Sequence, residues 1–284
     1  MAGILFWNLY GRQESNRDGR ADSICESLTR LVQRHSIDLL LFAECRIGDE
    51  RIASALNAGG AGRYVCPPSR SRRVKIWTRL KEESVHDRFN DLDGKLTLRE
   101  VQFPGADPVL LAGVHLVDRM TVGTESGRAL QATNIADSIR RVEERVGHRR
   151  TILIGDLNMN PYEAGVVGTQ ALHSIMTRDL LRTVSALKAR KDHSCFYNPM
   201  WACFGDQSSG PPGTHYFHNP NEPTNHFWHL YDQVLIRPDL MDRFVRVEIL
   251  SGDGVESFLT KSGRPRRQTL SDHLPLFVEF NFGD

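Results

Sequence analysis

Runs that are apolar almost throughout, rather than alternating, recur along the chain and mark strands covered on both faces. Ile4–Tyr10, Asp38–Ala43 and TILIGD at 151–156 are of this kind. After residue 20 the pattern changes to apolar positions three or four apart. Ile24, Leu28, Leu31 and Val32 then share one face, which predicts a helix from Ala21 to His35. Arg51–Asn57, closed by Gly59-Gly60, predicts a short helix. Glu125–Gly147 predicts the longest one, with Ala132, Ile135, Ala136, Ile139, Val142 and Val146 as its buried stripe. VKIW, SVHDRF, KLTLREVQF and VLLAGVHL read as strands, with turns at Asp93-Gly94 and Pro104-Gly105. In KLTLREVQF, Leu96 and Leu98 have one parity and Val101 and Phe103 the other, so a bulge is expected near Arg99-Glu100. LYDQVLI, a short helix after Pro238, FVRVEIL and LPLFVEF complete the pattern.

The stretch from Gly168 to about His229 is irregular, with Pro211-Pro212-Gly213, Asn219-Pro220 and a concentration of histidines. No repeat, low-complexity tract or long flexible linker divides the chain. It reads as a single domain over 1–284, with strands dominant and helices interleaved.

Composition alters this picture little. The 284 residues are 40% hydrophobic and 25% charged, an ordinary globular balance. The net charge of +1 excludes a polybasic partner driving the whole fold, but not a local basic groove. Only six of the 36 basic residues are lysines; guanidinium forks suit phosphate, although a GC-rich genome gives the same bias. Five scattered cysteines do not form a disulfide framework. No apolar run approaches the roughly 20 residues of a membrane span, and the start lacks a signal-peptide pattern. The expectation is a soluble, cytoplasmic protein with no membrane partner.

Polar groups sit at the tips of the buried strands: Asn8, Glu44, Asp156 with Asn158, Asp232, and Ser271-Asp272-His273 before the last strand. A carboxylate there is costly unless paired, hydrogen-bonded or bound to metal. Each alone could be a turn former, but so many together suggest a site. Hard oxygen donors without clustered thiolates suit Mg²⁺ or Mn²⁺ rather than zinc. A histidine beside carboxylates can exchange protons. Metal, acids and a base together point to hydrolysis of an anionic ester.

These motifs resemble the endonuclease/exonuclease/phosphatase superfamily. The resemblance runs in order through FWNLYG, FAE, LRE, VHL, the SGR-to-helix segment, GDLNMNP, YDQV and SDHLPL. It implies an α/β (α+β) fold, a four-layered sandwich of two packed, mostly antiparallel sheets flanked by helices. It also implies a Mg²⁺-dependent phosphodiester hydrolase in which Mn²⁺ can substitute, most simply a nuclease with DNA or RNA as its substrate partner. The alternatives are a phosphatase or phospholipase acting on inositol phosphates or phospholipids, and a non-catalytic nucleic-acid-binding relative.

By resemblance, Glu44 is the principal metal ligand, with Asn8 positioning the metal or the scissile phosphate. Asp272 is a further metal ligand or water-positioning group. Asp156 orients the attacking water and Asn158 donates to phosphate oxygens. Asp232 orients His273, which acts as base or phosphate clamp. His115 serves as acid or phosphate contact, and Arg99 as a backbone-phosphate contact. Apurinic endonucleases carry an acid two residues after the Asn, where this chain has Tyr10, and His at 115 likewise argues against strictly apurinic specificity.

Three further features are open to two readings. His193, Cys195, Cys203, His215 and His218 could form a zinc site, but their spacing matches no finger, and packing beside the active site is the plainer expectation. The basic runs SRSRR (69–73) and KSGRPRR (261–267) are ordinarily solvated loops. The second immediately precedes SDH, which places its arginines near a bound phosphate.

Overall fold

The computed structural model describes residues 1–11, 19–117, 124–186, 194–218 and 226–283, with the backbone alone for 184–186. A five-stranded sheet has the order Phe244–Ile249 (β13), Leu276–Phe280 (β14), Ala2–Asn8 (β1), Ile37–Ala43 (β2) and Val74–Thr78 (β3). A seven-stranded sheet runs Val85–Asn90 (β4), Leu96–Val101 (β5), Val109–His115 (β6), Thr151–Asp156 (β7), Asp232–Ile236 (β12), Phe196–Tyr197 (β9) and Ser174–Ile175 (β8). A two-residue ladder joins His215–Tyr216 (β10) to Trp228–His229 (β11). Neighbours are antiparallel except β1–β2, β6–β7 and β8–β9.

Every residue of β1, β2, β6, β7 and β12 is buried, which is why these strands read as continuous apolar runs. One face of the seven-stranded sheet meets the five-stranded sheet through Val101, Leu111, Ile152, Ile154 and Val234. That core also takes in Ile24, Leu28, Leu31 and Val32 of helix Arg20–Arg34 (α1) and Ile52 and Leu56 of helix Asp49–Ala58 (α2). The other face, with Leu96, Leu98, Leu110, Ala112, Val114 and Leu153, is covered by helix Glu125–Val146 (α3) through Ala132, Ile135, Ala136, Ile139 and Val142. The result is a four-layered sandwich with two mixed, mostly antiparallel sheets. Thr124 caps α3 by accepting from the Gly127 amide at 3.1 Å, a contact worth about 1 kcal/mol.

The expected bulge lies elsewhere. β5 pairs without interruption against β6 from Leu96 to Val101, and the irregularity falls between Asp87 and Phe89 of the edge strand β4. The parity change in β5 has a simpler cause: Leu96 and Leu98 face α3, while Val101 faces the other sheet. Helix Ala164–Val167 (α4) ends just before the irregular 168–229 region, and helix Arg178–Ala186 (α5) lies within it. Asn219-Pro220 lies outside the described residues. Among the described residues no helix is long and apolar enough to cross a membrane.

Candidate active site

Strand register assembles the site. In the parallel pair β6–β7, His115 is the partner of Asp156, and on the other side of β7 Asp156 is the partner of Asp232. Three adjacent strands therefore present His115, Asp156 and Asp232 in one row. In the parallel pair β1–β2, Asn8 is the partner of Ala43, so Glu44 follows directly beside it. Both pairs stop at the same edge of the sandwich, where the chain before β14 brings in Asp272 and His273. Gly155 makes the β6–β7 approach possible. A Cβ there would lie 1.9 Å from the Val114 carbonyl oxygen, and φ is +153°.

Backbone strain concentrates here. Tyr10, Glu44 and Asn158 all adopt left-handed φ near 50°. Asn tolerates this region, whereas Tyr and Glu pay about 1–2 kcal/mol each and persist only where their surroundings over-determine them.

The side chains interlock. Asn8 Nδ2 donates to Asp156 Oδ2 at 3.0 Å and to Glu44 Oε1 at 3.3 Å, while its Oδ1 accepts from the Tyr10 amide at 2.9 Å. Asn8 thus presents its nitrogen to both carboxylates and orients Glu44, while its oxygen takes the Tyr10 amide. Glu44 Oε2 accepts from the Gly11 amide at 3.1 Å, and His115 Nε2 lies 3.5 Å from Glu44 Oε1 and 3.9 Å from Asp156 Oδ2. The Asn158 amide donates to Asp156 Oδ1 at 2.8 Å, and Asn158 Nδ2 to the Leu116 carbonyl at 2.9 Å. Arg128 holds this loop through the Asn158 carbonyl at 3.3 Å and Glu163 at 2.8 Å.

His273 Nδ1 meets Asp232 Oδ2 at 2.8 Å, and its Nε2 lies 4.0 Å from Asp156 Oδ2. Trp7 Nε1 donates to the His273 carbonyl at 3.0 Å, and Ser271 Oγ accepts the His273 amide at 3.1 Å while donating to the Asn8 carbonyl at 2.6 Å. Ser271 is therefore a turn hydroxyl that ties the SDH segment to β1.

Burial drives the His273 imidazolium down, but Asp232, then Asp156 and Asp272, outweigh it and raise the group to about 10. Burial and the neighbouring Asp232 charge push Asp156 upward from the usual carboxylate range. Asp272 goes down: burial opposes this, but contacts from His215, His273 and Arg267 prevail. His215 is lowered by burial and by His273.

Glu44, His115, Asp156, Asn158, Asp272 and His273 line one cleft of about 450 Å³. Asn8 and Asp232 lie buried behind it. Arg99 does not line it. Its buried guanidinium donates to the Pro68 carbonyl at 2.9 Å and lies 3.5 Å from Asp87, which makes it a tie between β5 and the loop before β3 in this fold.

Arg73, Tyr10, Arg267 and His215 lay outside the sequence-based site. Arg73 and Tyr10 line the cleft, and Arg267 reaches its rim 3.8 Å from Asp272. The basic runs signalled the arginines. His215 packs on His273 with ring centroids 4.4 Å apart, its Nε2 3.8 Å from Asp272. Of the zinc candidates with which the sequence groups it, the described ones do not gather. Cys195 packs with Leu181 and Met241, Cys203 is half-buried against the main core, and His218 stacks on Phe227. His193 lies outside the described residues.

Two groups among the described residues could hold a metal ion, His215–Asp272–His273 and Asp156–Asp232–His273. Both include His273, whose Nδ1 is engaged by Asp232. Carboxylate oxygens suit a hard cation better: those of Glu44 and Asp272 line the cleft, and the Oδ1 atoms of Asp272 and Asp232 are each buried without a hydrogen-bond partner. No cysteine lines the cleft.

Comparison with known structures supports the same architecture. D. rerio TDP2 in complex with a single-strand DNA product has 15% identity and a TM-score of 0.55, covering 99% of this chain and 98% of that one. An AP endonuclease from Archaeoglobus fulgidus has 13% identity and a TM-score of 0.56, with 99% of each chain covered. An endonuclease/exonuclease/phosphatase family protein from Leptotrichia buccalis has 13% identity and a TM-score of 0.57, covering 99% and 100%. No curated protein sequence matches the chain significantly. At these identities the structures establish the fold alone. The sequence profile goes further, matching residues 5–273, nearly the whole chain, so the protein belongs to the endonuclease/exonuclease/phosphatase family.

Proposed function

We propose that the protein is a Mg²⁺-dependent phosphodiester hydrolase that cleaves DNA or RNA by in-line attack of water. The observation that carries this reading is the convergence of Asn8, Glu44, Asp156, Asp232 and His273, from opposite ends of the chain, on a single cleft. Asp156 has both oxygens held, by Asn8 and by the Asn158 amide, and its raised proton affinity suits it to orient an attacking water and accept its proton. His273, charged at neutral pH and fixed by Asp232, places a positive N–H where a phosphoryl oxygen gains charge. His115, between Glu44 and Asp156, would serve the leaving oxygen. Asn158 lines the cleft, and its side-chain amide would donate to a phosphate oxygen there.

Glu44 and Asp272 are the residues that would hold Mg²⁺, or Mn²⁺ in its place, with Asn8 orienting Glu44. The ion would neutralise charge on the phosphoryl oxygens. Arg73 in the cleft wall and Arg267 at its rim favour a polyanionic substrate. A protein of the same fold is known with a single-strand DNA product, which supports nucleic acid over lipid.

The test is a substrate panel of supercoiled plasmid, single-stranded DNA, RNA, an inositol phosphate and sphingomyelin, each with Mg²⁺ and with chelator. Cleavage of nucleic acid that is lost on chelation is expected. Hydrolysis of the lipid or inositol phosphate with nucleic acid untouched would overturn the nuclease reading, and indifference to chelator would overturn metal dependence.

A further inference from the structure

At the cleft rim Arg267, used above only for its charge, forms a pair with Tyr10. Arg267 Nε donates to the Tyr10 hydroxyl oxygen at 2.9 Å, and Nη2 makes a second bond to the same atom. The guanidinium carbon lies 4.9 Å from the Tyr10 ring centroid. Tyr10 is held in its left-handed conformation by Asn8 Oδ1, which takes its amide, and by Arg20, which donates to the carbonyls of Leu9 and Tyr10. The same Arg20 guanidinium donates to Leu270 O at 2.6 Å, tying the end of the basic loop to this turn. A strained, over-determined aromatic beside Glu44 is a positioned group, not a filler.

The neighbouring arginines of the run are otherwise engaged. Arg266 pairs with Glu256 at 2.8 Å, and Arg264 sits 4.7 Å over the Tyr216 ring. Arg267 remains 47% exposed, and its nearest described carboxylate, Asp272, is at 3.8 Å, beyond hydrogen-bond reach. Its guanidinium has donors left over and is held beside Tyr10 and Asp272, both of which line the cleft.

We propose that Tyr10 pins Arg267 as a grip for a second phosphate of the substrate, one flanking the phosphodiester that is cleaved. Arg267 is then a substrate-binding residue and Tyr10 a positioning residue. The inference rests on the nucleic-acid reading above. A fork held by a phenol loses little conformational freedom when it meets a phosphate, so the contact adds affinity that a free surface arginine does not.

The test uses the full chain with Mg²⁺ and single-stranded oligonucleotides from a dinucleotide, which has one phosphodiester and no other phosphate, up to an octamer. Wild type should gain in kcat/KM as flanking phosphates are added. Arg267→Ala should lose that gain, with KM for the octamer rising about tenfold, kcat changing much less, and the salt dependence of log kcat/KM shallower by about 0.7. Arg267→Lys should recover the salt slope but not the full KM, and Tyr10→Phe should raise KM while keeping the slope. Arg267→Ala with wild-type length dependence and slope overturns this inference alone. Equal losses on dinucleotide and octamer, with a lowered melting temperature, show a structural staple and overturn it too. A wild type that cleaves no nucleic acid overturns the underlying reading as well.

Discussion

His273 and Asp232 are joined by a 2.8 Å contact between Nδ1 and Oδ2, with both side chains buried where β12 begins beside Asp156. The contact fixes which face of the imidazole reaches the cleft and holds the ring charged. The two residues therefore work as a unit. Asp232→Asn and His273→Ala should each lower kcat by about 10²–10⁴, and the double variant should lose little more than either alone. Steady-state kinetics on the three proteins checks this; fully multiplicative losses would show that they act independently.

The pH dependence of stability has a definite sign. His273 rises from an ordinary 6.5 to about 10 on folding, because Asp232, Asp156 and Asp272 outweigh its burial. A group raised in the folded state contributes fully below its unfolded value and loses that contribution as pH climbs through the folded one. Thermal melts should therefore show the largest gap between wild type and His273→Gln below pH 6.5, closing as pH climbs towards 10. A gap that widens in that window would contradict the assignment.

Metal dependence should follow Glu44 and Asp272. Glu44→Gln and Asp272→Asn should each raise the Mg²⁺ concentration for half-maximal activity at least about tenfold, equivalent to about 1.4 kcal/mol of binding. Mg²⁺ titration of activity, backed by calorimetry on the protein alone, measures it. Unchanged half-saturation in both variants would move the ion elsewhere in the cleft.

Gly155 carries the register. Gly155→Ala would drive a Cβ to 1.9 Å from the Val114 carbonyl oxygen, a backbone atom with little room to retreat. We expect at least about 2 kcal/mol of destabilisation, a drop of roughly 4 °C or more in melting temperature. Activity should fall further than stability explains, because Asp156 would move relative to His115. Differential scanning calorimetry beside kinetics separates the two effects.

Far from the cleft, Arg237 and Glu143 form a buried ion pair at 2.8 Å, with Thr151 also donating to Glu143 at 2.6 Å and the guanidinium 3.8 Å over the Phe196 ring. Removing one partner strands the other charge. Glu143→Ala should cost about 3–5 kcal/mol in urea unfolding, and an apolar double replacement should recover much of it.

The helices α1, α2 and α3 and the strands at both ends of the chain were legible because periodicity reports which faces are buried. Where periodicity misled, the cause was two-sided burial: in β5 the parity change marks two different cores, and the irregular register lies in β4. Glu44, Asp156, Asp232 and His273 were recoverable as polar tips of apolar strands. Arg99 was not, since a strand arginine reads alike whether it meets substrate or, as here, the Pro68 carbonyl and Asp87. His215 was hidden in a stretch with no period, and its place beside His273 comes from a single bridge between those residues.

The amino-acid order alone determined the helices α1 to α3 and the long buried strands, which strand tips carry oxygen and imidazole groups, and which family's motifs they compose. The tertiary structure decided which tips share a cleft, that Asn8 turns its nitrogen to Glu44, and that Tyr10 meets an arginine 257 positions away. The reason is physical. Local patterning encodes which side of an element avoids water, but the distance between two side chains on different strands depends on register and crossover. Those are settled only when Gly155 lets β7 close on β6 and the two sheets pack.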